Sequence, residues 1–225
     1  MPAVDARADG RHMDMDQSRN RQAGNWVAAL QGFVGPQQAA VERCEVCRAE
    51  IGPEHAHLIE PESRRLLCAC QACALLFDSP EAKRYRRVPR TVTRLDDFEL
   101  SDAEWDAFRI PINMAFFFRS SPRERIVGLY PGPAGATESL LDMAAWETLS
   151  AANPVLGELE EDVEALLVNR VQGAHEYYRV PIDRCYALVG QIRKHWHGIS
   201  GGSEVQETIR SFFGNLSEEA QPLHA

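Results

Sequence analysis

Beyond about Leu95 the spacing of apolar positions changes period several times, and each change marks an element. "INMAFFFRS" (112–120) and "RIVGLYPGP" (125–133) carry dense apolar runs around the polar turn "SSPRE", which predicts two strands of a hairpin. "VEALLVNR" (163–170) and "HEYYRVPI" (175–182) flank "VQGA" and predict another. The period then becomes helical. "GATESLLDMAAWETLSAANP" predicts a helix capped by Thr137 or Ser139 and ended at Asn153-Pro154. "IDRCYALVGQIRKHW" predicts a helix capped by Asp183, and "SEVQETIRSFFGNL" a last one with Ser203 as cap and Gly214 as stop. The expected architecture is α+β: an antiparallel sheet with three helices packed outside it, over residues 95–216.

The rest of the chain reads differently. Residues 1–24 have few large apolar side chains and predict a disordered tail. "NWVAALQGFV" places Trp26, Leu30 and Phe33 at helical spacing, so a short helix and linker are expected over 25–39. A cysteine-rich module follows at 40–78. "SPEAKRYRRVPRTVTR" (79–94) is a basic connector, read as a solvated linker or an exposed edge, with contact to an acidic partner as the alternative. Residues 217–225 read as a tail.

Composition narrows the classes. The chain has 225 residues and a formal charge of −9, so its surface repels phosphate backbones and nucleic acid is an unexpected partner. No run of about 18 apolar residues predicts a membrane span, and the polar first residues lack a secretory pattern. The expected setting is the cytoplasm, where thiols stay reduced.

The cysteines carry the chemistry. Cys44-x2-Cys47 and Cys70-x2-Cys73 are separated by 22 residues. Each pair can place two sulfurs on one metal at Zn–S distances of about 2.3 Å, and two pairs complete a tetrahedral four-sulfur shell. Between them "HAHLIE" and "RRLLCA" read as a hairpin about the turn "PES", and "CQACALLF" as a helix start. Knuckle, hairpin and helix make a treble-clef or zinc-ribbon module, with one structural Zn²⁺ expected at Cys44, Cys47, Cys70 and Cys73. Cys68, beside Leu66 and Leu67, reads as a buried thiol or a substitute ligand. His55 and His57 share one strand face and read as packed or solvated imidazoles, substitute ligands or holders of a second metal. Iron in a rubredoxin-like site also fits four sulfurs, but Arg48 and Ala74 occupy the places where such sites carry glycine.

Two resemblances attach to these residues. Glu54-His55-Ala56-His57 followed by Cys70-x2-Cys73 resembles the HNH nucleases of the endonuclease VII type over about 30 residues; Ala74 stands where that family has a metal-binding Asn. A longer resemblance runs through "ERCEVC", "HAHL", "RRLLCACQACALLF", "IPINMAFFF", "YPGPAGATESLL", "NPVL", "DVEALLVNR" and "VPIDRCYALVGQIRKHWHGISGG". These strings resemble an uncharacterised bacterial family encoded beside actinobacterial-type uptake nickel–iron hydrogenases. The resemblance implies a role in hydrogenase assembly or function, with hydrogenase subunits or maturation factors as partners.

The remaining candidates have simpler readings. "YPGPAGATES" reads as a rigid strand-to-helix turn, and His195 and His197 as end groups of a helix. Cys185 reads as a buried thiol with no local partner in His175 or Asp183, and Asp162, Glu164 and Asn169 as solvated charges and turn caps. No triad, carboxylate pair or nucleotide fingerprint emerges, which favours a metal-stabilised binding or assembly protein over an enzyme.

Overall fold

The computed structural model describes residues 41–79, 84–196 and 202–222. The expected N-terminal tail and helix, His197, and the last residues of the C-terminal tail lie outside the described residues.

The first pair of strands, β1 (Ala56–Glu60) and β2 (Arg65–Ala69), forms the expected antiparallel hairpin. The short helix α1 (Gln71–Leu76) follows directly. β3 (Arg86–Arg87) pairs with β1, giving a three-stranded sheet in the order β2-β1-β3. β4 (Thr93–Arg94) then enters a second sheet of seven strands. With β5 (Met114–Ser120), β6 (Arg125–Gly132), β7 (Gly135–Ser139), β8 (Glu164–Asn169), β9 (Glu176–Pro181) and β10 (Gln221–Pro222), its order is β10-β4-β9-β8-β5-β6-β7. Only the β10–β4 pair is parallel. The segment read as a connector thus supplies one strand to each sheet.

Helices cover both faces of the large sheet. On one side α2 (Asp102–Ala107) and α3 (Met143–Ala152) bring Trp105, Trp146 and Leu149 against Ala115, Phe117, Leu166 and Val168. On the other, α4 (Ile182–His195) and α5 (Gly202–Glu219) bring Leu188, Ile192, Val205 and Phe213 against Phe116, Phe118, Leu167 and Tyr178. A strand covered on two faces needs apolar residues at both parities. That is why "AFFF" and "EALLVN" are nearly continuous apolar runs, and why all six residues of β8 are buried.

Four local expectations are corrected. Thr137 and Ser139 belong to β7; α3 begins later, with the Asp142 carboxylate accepting from Ala144 N–H at 3.0 Å. The "YPGPAGATES" segment is therefore a hairpin turn at Gly135, whose φ of +118° suits a residue without Cβ. Asp183 does not cap α4: Pro181 holds the N-cap position, and the Asp183 side chain turns elsewhere. α5 runs through Gly214 to Glu219, because Phe213 and Leu216 anchor both sides of the glycine in the core.

Asp162, Glu164 and Asn169 are not solvated. Glu164 is buried and takes three hydrogen bonds from the Arg179 guanidinium at 2.6–2.9 Å. Asp162 accepts from the Ser121 amide at 2.9 Å and hydroxyl at 2.5 Å, and Asn169 donates to Glu176 at 2.6 Å. These pairs satisfy buried polar groups at strand ends, where leaving one unpaired would cost about 1–3 kcal/mol. α2, unassigned from sequence, carries a full capping box between Ser101 and Glu104.

The small module and the large sheet share a core: Ile59 and Val88 belong to the same buried cluster as Phe118 and Ile182. Polar contacts reinforce this seam. Arg64, at the tip of the β1–β2 turn, reaches Glu138 on β7 at 3.2 Å and lies over the Phe118 ring at 5.6 Å. Glu138 also receives Arg123 and Arg125 at 2.7 and 2.9 Å. Burial alone would raise its carboxyl pKa; the Arg64 and Arg123 guanidinium groups outweigh that and hold it below its ordinary value of 4.5. A depressed carboxylate pKa stabilises the fold above the unfolded-state pKa, and the contribution fades as pH falls through the folded one. Thermal melts of Glu138→Gln and the parent protein should therefore differ most at neutral pH and converge below about pH 4.5. A gap that stays constant down to pH 3 would show that the carboxylate charge is irrelevant.

Candidate metal centre

The β1–β2 hairpin has two faces with different neighbours. Ala56 and Leu58 on β1, opposite Ala69 and Leu67 on β2, pack with Cys44, Cys73 and Ala74. This face supports the four cysteines. Cys44, Cys47, Cys70 and Cys73 place their sulfurs within 4.8 Å of one another. The Cys47 and Cys70 Sγ atoms are 3.7 Å apart, close to the edge of about 3.8 Å that a tetrahedron with 2.3 Å Zn–S bonds requires. Such a group can hold a metal ion.

Local geometry explains the convergence. The Cys44 carbonyl accepts from Arg48 N–H at 2.8 Å, and Cys44 N–H reaches the Ala49 carbonyl at 2.8 Å, closing a tight turn over Val46 and Cys47. Arg48, in the place of the expected glycine, adopts φ +67°. The turn survives the substitution at a left-handed cost of roughly 1–2 kcal/mol. Glu45 clamps the knuckle to β2, its amide on the Cys68 carbonyl at 2.8 Å and its carboxylate on the Cys68 amide at 2.7 Å. Cys70 is the N-cap of α1, its sulfur accepting from Cys73 N–H at 3.4 Å.

Cys44 and Cys73 are pushed in opposite directions. Burial pushes the Cys44 thiol up, but the N–H groups of Cys70, Cys47 and Val46 outweigh it and bring it down to about 6. Burial pushes Cys73 up to about 12, reinforced by the neighbouring sulfurs. One stabilised thiolate discourages the next, so a full four-thiolate shell calls for a cation at its centre.

Cys68 does not join this group. It sits opposite His57 in the β1–β2 register, on the second face of the hairpin, and clusters with His55 and His57, their ligand atoms within 4.8 Å of one another. Ala69 ends β2, and the chain turns at Cys70 toward the knuckle. Burial raises the Cys68 thiol pKa, with Glu45 and Glu42 adding to it. His57 Nδ1 lies 2.7 Å from Asp183 Oδ2 on α4, and His55 Nδ1 lies 2.9 Å from the Gly52 carbonyl and 3.3 Å from Glu42. The His57–Asp183 contact joins residues 126 positions apart, and nothing local in the sequence signals it.

The HNH-like arrangement is present only in part. Glu54, His55 and His57 line a cleft of about 580 Å³ with Arg90, but its far wall is α4, through Asp183 and Arg184, rather than α1. Ala74, at the position of that family's metal-binding Asn, is fully buried in the module core. The basic run is largely occupied within the chain: Arg86 binds Glu160 at 2.5 Å, Arg87 binds Asp78 at 2.9 Å, and Arg84 stacks on Tyr85.

Other candidates resolve simply. Cys185 is fully buried in the main core, and burial raises its thiol pKa well above the ordinary value. His175 faces the Tyr177 hydroxyl, and His195 bonds the Thr208 hydroxyl at 2.8 Å. No helix among the described residues is long and apolar enough to cross a membrane.

Fold and site together define an α+β protein built on a four-cysteine, treble-clef-like module capable of holding a metal ion. A family model described as a family of unknown function (DUF5947) matches residues 43–220, and the chain belongs to that family. No curated protein and no solved structure matches it.

Proposed function

We propose that this protein is a metal-stabilised accessory protein that binds a protein partner in the cytoplasm, in the maturation or function of a nickel–iron hydrogenase. Cys44, Cys47, Cys70 and Cys73 hold one structural Zn²⁺, with zinc favoured over iron. The observation that carries the reading is the donor set itself. Four sulfurs within 4.8 Å of one another, with one pair at 3.7 Å, can satisfy an ion completely and leave no position for substrate. Such a centre organises a surface rather than performing a reaction. That surface includes Val46 in the knuckle and Leu75 and Leu76 on α1, all exposed, and Leu140 and Met143 add exposed apolar area between β7 and α3. The hydrogenase connection rests on the resemblance of the sequence strings to the family encoded beside those enzymes.

Two measurements test the proposal. Elemental analysis of protein purified without affinity-tag metals should find tightly held zinc; a red iron chromophore would replace the structural ion with a redox centre. Deleting the gene should lower hydrogenase activity and leave subunit processing incomplete. Full activity with normally processed subunits would remove the maturation role.

A further inference from the structure

The second face of the hairpin carries a polar cluster that the four-sulfur centre does not use. His55, His57 and Cys68 converge there, with one potential ligand atom from each within 4.8 Å of the others. The hydrogen bonds around the two rings fix their tautomers. The Gly52 carbonyl and the Asp183 carboxylate can only accept, so both Nδ1 atoms are protonated donors. In a neutral imidazole that leaves the lone pair on Nε2. A metal-ligating histidine typically has this outer arrangement, with one nitrogen donating to a carbonyl or carboxylate and the other facing the ion.

His55 supplies the independent sign of a missing occupant. Its side chain is only 9% exposed, and its Nε2 is buried with no hydrogen-bond partner. A buried acceptor without a partner costs about 1–3 kcal/mol. A simple ion pair between His57 and Asp183 accounts for His57. It does not account for the stranded His55 nitrogen, nor for the Cys68 thiol that shares the cluster.

We infer that His55, His57 and Cys68 form a second metal site, of two imidazoles and one thiolate, distinct from the four-sulfur centre. The donor set suits a late first-row divalent ion such as Zn²⁺. Bound ligands would lie about 3.3–3.6 Å apart in a tetrahedron, within reach of side-chain adjustment from separations of 4.8 Å or less. Asp183 is the positioning residue: its Oδ2 orients His57, and its negative charge offsets the ion. Three protein donors leave one coordination position. The cleft lined by His55 and His57 carries Glu54, Asp183 and Glu219 as well as Arg90 and Arg184, with Arg184 paired to Glu219, so water or hydroxide is the chemistry this position accepts. By donor count, this centre keeps a coordination position that the sulfur cage does not.

The test uses the full chain, purified without affinity-tag metals and treated with a mild chelator that spares the closed centre. Titrated with Co²⁺, it should take up one further equivalent beyond the retained ion, with a thiolate-to-cobalt charge-transfer band. Cys68→Ser should abolish the band while keeping the retained ion and the parent melting temperature. His57→Ala should weaken cobalt uptake at least tenfold, and Asp183→Asn by about 10–100-fold. Uptake of no further equivalent would overturn the inference. So would uptake indifferent to Cys68→Ser and His57→Ala, or loss of the retained ion in Cys68→Ser, which would place that sulfur in the first centre. A protein without a retained ion that still binds cobalt through Cys68 would refute the four-sulfur reading and leave this one standing.

Discussion

Replacing Cys73 with serine should strip the metal from the four-sulfur centre and unfold the module around it. Cys73 is buried among Ala56, Leu58, Leu67 and Ala69, a core of few residues that cannot supply much stability by itself. Structural zinc contributes on the order of 10 kcal/mol to small zinc-dependent folds. Here the hairpin is also anchored through Ile59 and Leu66 to the main core, so the loss should be partial, on the order of 5 kcal/mol. For a chain of this size that lowers the melting temperature by about 10–20 °C. A strong chelator should produce a similar drop in the parent protein and no further drop in Cys73→Ser. If the parent melts at the same temperature with and without chelator, the ion is not structural.

Phe117→Ala should cost about as much, from a different part of the molecule. Phe117 is fully buried on β5, with Phe108 at 5.3 Å and Trp146 at 5.5 Å between ring centroids. Gly128, its partner on β6, leaves room for the ring: a Cβ there would lie 3.1 Å from Phe117 Cδ1 and Cε1. Removing the ring forfeits its burial and leaves a cavity walled by large aromatics that cannot collapse, a loss of about 3–5 kcal/mol. Urea denaturation should show it as a lower midpoint, with bound metal unchanged. A loss under about 1 kcal/mol would mean that the aromatic cluster repacks freely.

The strands were legible because burial on both faces writes them as long apolar runs, and hairpin turns punctuate those runs. Helix boundaries were less so. Leu140 and Leu141 look like the first face of a helix, yet Leu140 is 94% exposed and both belong to the link from β7 to α3. Gly214 looks like a stop, but the burial of Phe213 and Leu216 outweighs the roughly 1 kcal/mol that glycine costs in a helix. α2 went unassigned although Ser101 and Glu104 spell a capping box, because one short turn of helix offers too few apolar positions to show a period.

The site divides along similar lines. The convergence of four cysteines follows from spacing within one short module. The placement of Cys68 with His55 and His57 depends on strand register, and Asp183 reaches His57 only through the way α4 packs against the hairpin. Likewise, Asp162 and Glu164 carry charges that suggest solvent, until the fold brings Ser121 and Arg179 to them.

The two-faced hairpin also governs how this protein can change over generations. Alternate residues of β1 serve opposite neighbours, Ala56 and Leu58 one way, His57 and Ile59 the other. Substituting one side chain disturbs one face. Inserting or deleting a single residue within β1 turns every later side chain to the opposite side, sending Leu58 toward the main core and Ile59 toward the sulfurs. Relatives of this protein should therefore vary in the identity of residues 56–60 and 65–69, His57 and Cys68 apart, far more readily than in their number, and length variation in the module should collect outside the two strands.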